Sequence, residues 1–150
     1  MANIITRSVD TVWNWVNERA PGMMPVYRKH MSEYYAPKNF NFWYIFGVLS
    51  MVVLVNQILT GIFLTMHFKP SAAEAFASVE YIMRDVEWGW LIRYMHSTGA
   101  SLFFIVVYLH MFRGLMYGSY KKPRELVWLL GMVIYLVLMA EAFLGYVPPW

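Results

Sequence analysis

Residues 88–117 read WGWLIRYMHSTGASLFFIVVYLHMFRGLMY, a largely apolar stretch that contains two histidines, His96 and His110. A helix needs about 20 apolar residues to cross the hydrocarbon core of a bilayer, and this stretch is longer. Because backbone polar groups cannot stay unpaired in lipid, a span must be helical or belong to a closed barrel. The stretch therefore predicts a transmembrane helix that carries two histidines among its ionisable side chains.

Two further stretches, residues 42–68 and 126–147, are also long and apolar enough to span a bilayer. In the whole chain 59% of residues are hydrophobic and 14% are charged, whereas an ordinary soluble domain has about 25% charged residues. This composition excludes a disordered chain and most soluble domains, and the absence of cysteine excludes thiolate metal sites. The net charge of +3 is too small and dispersed to indicate nucleic acid. We predict an all-α transmembrane helix bundle with three spans.

The distribution of lysine and arginine predicts the orientation. Basic residues concentrate before the first span, at the end of the second span and in the loop that follows it: Arg7, Arg19, Arg28, Lys29, Lys38, Arg113, Lys121, Lys122 and Arg124. The loop between the first two spans balances its basic residues with acidic ones. We therefore expect the N-terminus on the negative side of the membrane, which is the cytoplasmic or the matrix side.

The regions outside the spans contain two amphipathic segments. In residues 4–16 the apolar positions follow helical spacing, which predicts an interfacial helix, although packing on a partner is the alternative. Residues 72–83 predict a loop helix whose buried face would use Phe76, Val79, Tyr81 and Met83. The predicted organisation is an N-terminal amphipathic segment, 1–33, followed by a transmembrane domain, 34–150.

The spacing of His96 and His110 suggests two separate sites. Fourteen helical residues place them about 21 Å apart and within about 40° of one helix face. One metal ion cannot reach both side chains, so one site near each leaflet fits better. Imidazole suits iron, copper and zinc, and haem suits an apolar setting because the protein supplies only axial ligands. The alternative is that each histidine only bonds a neighbouring helix.

The glycines of the flanking spans repeat the same interval. Gly47 and Gly61 lie fourteen residues apart in the first span, as do Gly131 and Gly145 in the third. A flat macrocycle packed against a helix needs positions without side chains, so these glycines predict cofactor clearance. Close helix contact is the alternative.

Two arginines flank the histidines. Arg93 and Arg113 each lie three residues closer to a membrane surface than the nearest histidine. A guanidinium there could pair with a haem propionate. The alternative is a charge that reaches the membrane surface.

Four motifs carry a resemblance to a known family. They are QILTGIFLTMHF (57–68), GWLIRYMHSTGAS (89–101), HMFRGLMYGSYKKPRE (110–125) and AFLGYVPPW (142–150). Together, and in this order, they resemble cytochrome b of the cytochrome bc complexes, which are quinol:cytochrome c oxidoreductases. The resemblance covers residues 34–150.

The resemblance implies a four-helix dihaem bundle, of which this chain supplies three spans, with two b-type haems. His96 would ligate the iron of the low-potential haem near the positive side, and His110 that of the high-potential haem near the negative side. Further implied roles are propionate binding by Arg93 and Arg113, haem clearance by Gly47, Gly61, Gly131 and Gly145, and lining of the quinol-oxidation pocket by Met139, Phe143 and Tyr146.

The family's second axial histidines come from a fourth helix, and neither His30 nor His67 is a plausible substitute. We therefore expect this chain to be truncated before that helix or to be one piece of a split polypeptide, inactive alone.

The implied function is electron transfer in a proton-translocating Q cycle, with ubiquinol and ubiquinone as substrates. The implied partners are a Rieske iron–sulfur protein, a membrane-anchored c-type cytochrome, the remaining cytochrome b helices, membrane lipid and a second copy in a homodimeric complex. The implied location is an energy-transducing membrane, with a bacterial inner membrane favoured. Two rival interpretations are a non-redox scaffold or assembly subunit and the dihaem anchor of another quinone-linked dehydrogenase.

Overall fold

A computed structural model describes residues 4–36 and 38–148, and every regular element in those ranges is a helix. The chain divides into two compact units, Met1–Phe40 and Asn41–Trp150. The all-α prediction is confirmed, and three helices are long and apolar enough to cross a membrane: Phe42–His67, Gly89–Met116 and Glu125–Tyr146.

The first unit contains α1, Ile4–Arg19, and α2, Met23–Tyr27, followed by a π-helical turn, Arg28–Ser32. The helix expected over residues 4–16 is present. Its apolar side chains Val9, Val12 and Trp13 remain exposed within the unit. An exposed apolar stripe on a helix of this kind supports the interfacial prediction, which stays a prediction.

The second unit contains the spanning helices. A 3₁₀ turn, Phe42–Tyr44, leads into α3, Ile45–His67. The Asn41 side chain caps this turn, since its oxygen accepts a hydrogen bond from the Trp43 backbone N–H at 3.1 Å. The loop helix α4 covers Ala75–Arg84, and the other two spans are α5, Gly89–Met116, and α6, Glu125–Tyr146.

The buried face predicted for α4 is partly wrong. Phe76 and Tyr81 are 67% and 52% exposed, whereas Ser78 and Ile82 are buried. The Ser78 hydroxyl accepts a hydrogen bond from the Lys69 backbone N–H at 3.1 Å. A polar anchor therefore fixes the rotation of α4, which apolar patterning alone could not predict.

The junction between α4 and α5 depends on Gly89. Its backbone lies so close to the Ile82 carbonyl that any side chain at this position would collide with it. Trp88, just before α5, adopts a left-handed backbone conformation with φ 61°. The chain thus turns sharply into α5 over the buried Ile82 side chain.

Helices α3 and α5 pack along positions seven residues apart. The buried residues of α3 are Phe46, Val53 and Thr60, and two of those on α5 are Gly99 and Val106. A seven-residue interval keeps the same face toward a partner in a left-handed helix pair. Fourteen residues are two such intervals, so side chains fourteen apart share this seam.

Gly99 lets two amides of α3 reach the backbone of α5. Asn56 donates to the Met95 carbonyl at 3.3 Å, and Gln57 donates to the His96 carbonyl at 3.0 Å. A Cβ at Gly99 would lie 2.8 Å from both amide nitrogens. A methyl group at this position would therefore displace the two amide groups from their hydrogen-bond positions.

Helix α6 has no buried residue in this chain. The Trp128 ring packs against Gly114 of α5, where a Cβ would lie 2.8 Å from the ring. Farther along, the Tyr135 hydroxyl donates to the Tyr108 hydroxyl at 3.4 Å. Most of the α6 surface is thus available to lipid or to other helices.

We predict that Gly99→Ala weakens the α3–α5 pair, because the methyl group displaces both amides. Interhelical hydrogen bonds in membrane proteins average about 0.6 kcal/mol each, so the free energy of unfolding should fall by about 1 kcal/mol. Reversible unfolding in detergent micelles measures the change. The control is Gly131→Ala, a helical position where a Cβ meets nothing within 4 Å. Equal effects of the two substitutions would contradict the assignment.

Candidate functional site

The structure brings each predicted histidine against a predicted glycine. A Cβ at Gly61 would lie 3.2 Å from His96 Cε1, and a Cβ at Gly47 would lie 3.4 Å from His110 Cε1. Gly61 lies fourteen residues after Gly47, and His96 lies fourteen residues before His110. The antiparallel packing of α3 and α5 therefore brings both pairs together in the same register. The imidazole rings therefore occupy equivalent places at two heights along one helix pair.

Thr60 and Gln57 hold the turn of α5 that carries His96. The Thr60 oxygen lies 2.9 Å from His96 Nδ1, and Gln57 donates to the main-chain carbonyl of His96 at 3.0 Å. Thr60 is buried at 6% exposure. We did not predict a role for these residues, although Asn56, Gln57 and Thr60 are polar residues in an otherwise apolar span.

His110 has a different environment. Within residues 4–36 and 38–148, its ring has no hydrogen-bond partner. The 3₁₀ turn and the start of α3, just before Gly47, carry an aromatic cluster. The Phe42 and Phe46 rings are 5.1 Å apart and the Trp43 and Phe46 rings 5.9 Å apart. Trp43 also contacts Phe112 of α5 at 5.8 Å between ring centres.

Arg93 and Arg113 lie near opposite ends of α5. An Arg93 guanidinium N–H points to Met83 Sδ at 3.7 Å, and the Arg113 guanidinium stacks on the Tyr44 ring at 4.0 Å. In the described part of the chain, neither arginine forms a salt bridge. Both guanidinium groups could therefore pair with an added carboxylate, as the propionate prediction requires.

The predicted residues of α6 are not brought to the histidines in this chain. A Cβ at Gly131 or Gly145 would meet nothing within 4 Å. Met139, Phe143 and Tyr146 follow helical spacing on one face and are 37%, 68% and 78% exposed. The clearance and pocket roles of these residues remain predictions.

The rings of the other two histidines lie against main-chain carbonyls of preceding residues. His30 Nδ1 lies 2.9 Å from the Val26 carbonyl, and His67 Nδ1 lies 2.9 Å from the Phe63 carbonyl. Each bond spans four residues. This geometry supports the interpretation of both as interfacial or surface residues.

The donor chemistry fits haem better than a metal ion. No three His, Cys, Asp or Glu side chains cluster in residues 4–36 and 38–148, so these residues supply no multidentate ion site. Each candidate site offers a single imidazole beside a glycine on an apolar helix pair. Haem requires only axial protein ligands together with flat apolar surroundings.

Comparison with known proteins agrees with this geometry. A family model described as Cytochrome b/b6/petB matches residues 31–150. Cytochrome b of Allochromatium vinosum is 66% identical over 137 residues, covering 91% of this chain and 33% of that protein. Cytochrome b of Rhodobacter capsulatus is 56% identical over 136 residues, covering 91% and 31%.

A solved structure shows the same fold. One chain of a structure described as a hyperthermophilic respiratory Complex III matches with a TM-score of 0.79 and 48% identity. The match covers 91% of this chain and 35% of that chain. The present chain thus spans about a third of the length of its relatives. Three apolar helices and these matches identify a multi-pass protein of an energy-transducing membrane. The family prediction is confirmed, and the chain belongs to the cytochrome b family.

Proposed function

We propose that this chain forms the first three spanning helices of a dihaem cytochrome b in a respiratory quinol:cytochrome c oxidoreductase. The observation that carries the proposal is the pair of equivalent His–Gly contacts, His96 on Gly61 and His110 on Gly47. A helix pair with a structural role alone has no need for imidazole beside glycine at two heights with one register. When bound, two b-type haems would carry single electrons between the two sides of the membrane.

The residues of this chain would perform distinct tasks. His96 and His110 would each supply one axial nitrogen, and helices outside this chain would supply the second ligands. Gly47 and Gly61 keep α3 free of side chains beside the imidazoles. Arg93 and Arg113 would bind propionates through charge-assisted hydrogen bonds. On α6, Gly131 and Gly145 would provide the opposite flat surfaces.

The substrate and partners belong to the same proposal. Met139, Phe143 and Tyr146 present an exposed, mainly apolar face near the C-terminal end of α6, which suits a quinol ring. The proposed partners are a Rieske iron–sulfur protein, a membrane-anchored c-type cytochrome, the remaining cytochrome b helices and a second copy of the complex. The proposed location is a bacterial inner membrane, with the N-terminus on the cytoplasmic side. Copurification of the two electron-transfer partners with the complex tests this assembly.

We expect His96→Ala and His110→Ala each to remove a different one of two b-haem bands. Loss of an axial imidazole leaves the iron without a protein ligand on that side. The measurement is a reduced-minus-oxidised spectrum of the purified complex. His67→Ala is the matched control, because that ring bonds the Phe63 carbonyl of its own helix. Two unchanged bands in both alanine variants would exclude haem ligation and leave the scaffold interpretation.

Bulky substitution of the α3 glycines should affect the two haems separately. In Gly61→Val the side chain would displace the His96 ring, since even a Cβ added at this position would lie 3.2 Å from His96 Cε1. The same change at Gly47 would displace His110. Each variant therefore serves as the control for the other. The measurement is a titration of haem content in which the two b-haem bands are resolved. A uniform loss of both haems in both variants would instead indicate general misfolding.

A further inference from the structure

The two histidine turns differ in what α3 places beside them. Against His96, α3 presents the polar side chains Asn56, Gln57 and Thr60, which bond the backbone or ring of that turn. Fourteen residues earlier in the chain, the corresponding positions are Phe42 and Trp43 of the 3₁₀ turn and Phe46 of α3. Equivalent positions therefore hold polar, hydrogen-bonding side chains near His96 and aromatic side chains near His110.

The hydrogen bonds of Thr60 determine which ring nitrogen of His96 carries the proton. A threonine hydroxyl has a single proton to donate. The Thr60 hydroxyl donates that proton to the Asn56 carbonyl at 2.6 Å. The Thr60 oxygen must therefore accept the hydrogen bond at His96 Nδ1, 2.9 Å away. His96 then carries its proton on Nδ1, and Nε2 keeps a lone pair for a metal.

An acceptor on the distal nitrogen of a ligating histidine fixes the ring and raises its basicity. A more basic imidazole favours the oxidised iron, which lowers the reduction potential. Within the described residues, His110 has no such acceptor, and the residue in the place of Thr60 is the buried Phe46. The two sites therefore differ, because α3 places a hydrogen-bond acceptor beside His96 and a phenylalanine at the corresponding position near His110.

We propose that Thr60 is a positioning residue that fixes the His96 tautomer and lowers the reduction potential of the haem at His96 relative to that at His110. This inference rests on the proposed dihaem function. In this proposal, one pair of positions fourteen residues apart on α3 determines which haem has the lower reduction potential. These positions hold Thr60 and Phe46.

The test is a redox titration of the full complex with Thr60→Val, which has nearly the same shape but no acceptor. Loss of one hydrogen bond should raise the ratio of reduced to oxidised His96 haem about fivefold at a fixed ambient potential. The His110 haem should not change and serves as an internal reference. Thr60→Ser keeps the hydroxyl and should restore the native midpoint.

Ser50→Ala is the matched control on the same helix. Among the described residues, the Ser50 hydroxyl donates to the Phe46 carbonyl of its own helix alone, at 2.7 Å, so its removal should leave both midpoints unchanged. An unmoved His96 midpoint in Thr60→Val would overturn the inference. So would an equal shift in Thr60→Ser.

A second measurement applies if Thr60→Val does not retain haem. Nitrogen NMR of the complete, isotopically labelled chain in micelles reports the His96 tautomer directly. We expect the Nδ1–H form in the native chain and in Thr60→Ser, and a mixture in Thr60→Val. The same tautomer in all three chains would overturn the inference. In contrast, a native complex without a His96-dependent haem band would contradict the proposed function itself.

Discussion

The antiparallel register of α3 against α5 is the constraint on which the rest of the structure depends. The register places the His96 ring on Gly61 and the His110 ring on Gly47. It is maintained by a seam of positions seven residues apart, and by two amides of α3 that bond the backbone of α5 across Gly99. A one-residue slip would rotate every one of these contacts off the seam.

The same register explains why one helix pair can serve two similar sites and still make them different. Equivalent histidine–glycine contacts recur after two heptads, whereas the residues one turn away do not repeat. Polar groups support the His96 turn, whereas aromatic rings cluster near His110, in the 3₁₀ turn and the start of α3. An electron moving toward the negative side of the membrane works against about 2.3 kcal/mol per 100 mV for a full crossing. In the proposed dihaem function, a reduction potential that rises from the His96 haem to the His110 haem would offset part of this cost.

Much of the fold was predictable because the dominant signals are long and simple. Span length, apolar composition and the fourteen-residue spacing of histidines and glycines are visible without coordinates, and the three spans lie within a few residues of their expected positions. The rotation of α4 was not predictable, because Ser78 anchors it through the Lys69 backbone rather than through Phe76 or Tyr81. Thr60 was missed for a similar reason. A hydroxyl in a span most often bonds its own helix, and only the register shows that it also faces His96.

The most direct test of the central claim is an electron cryo-microscopy map of the assembled, oxidised complex. We predict two haem irons about 21 Å apart along α5, one bonded to His96 Nε2 and the other to His110 Nε2. Density for lipid or for side chains in place of porphyrin beside Gly47 and Gly61 would contradict it.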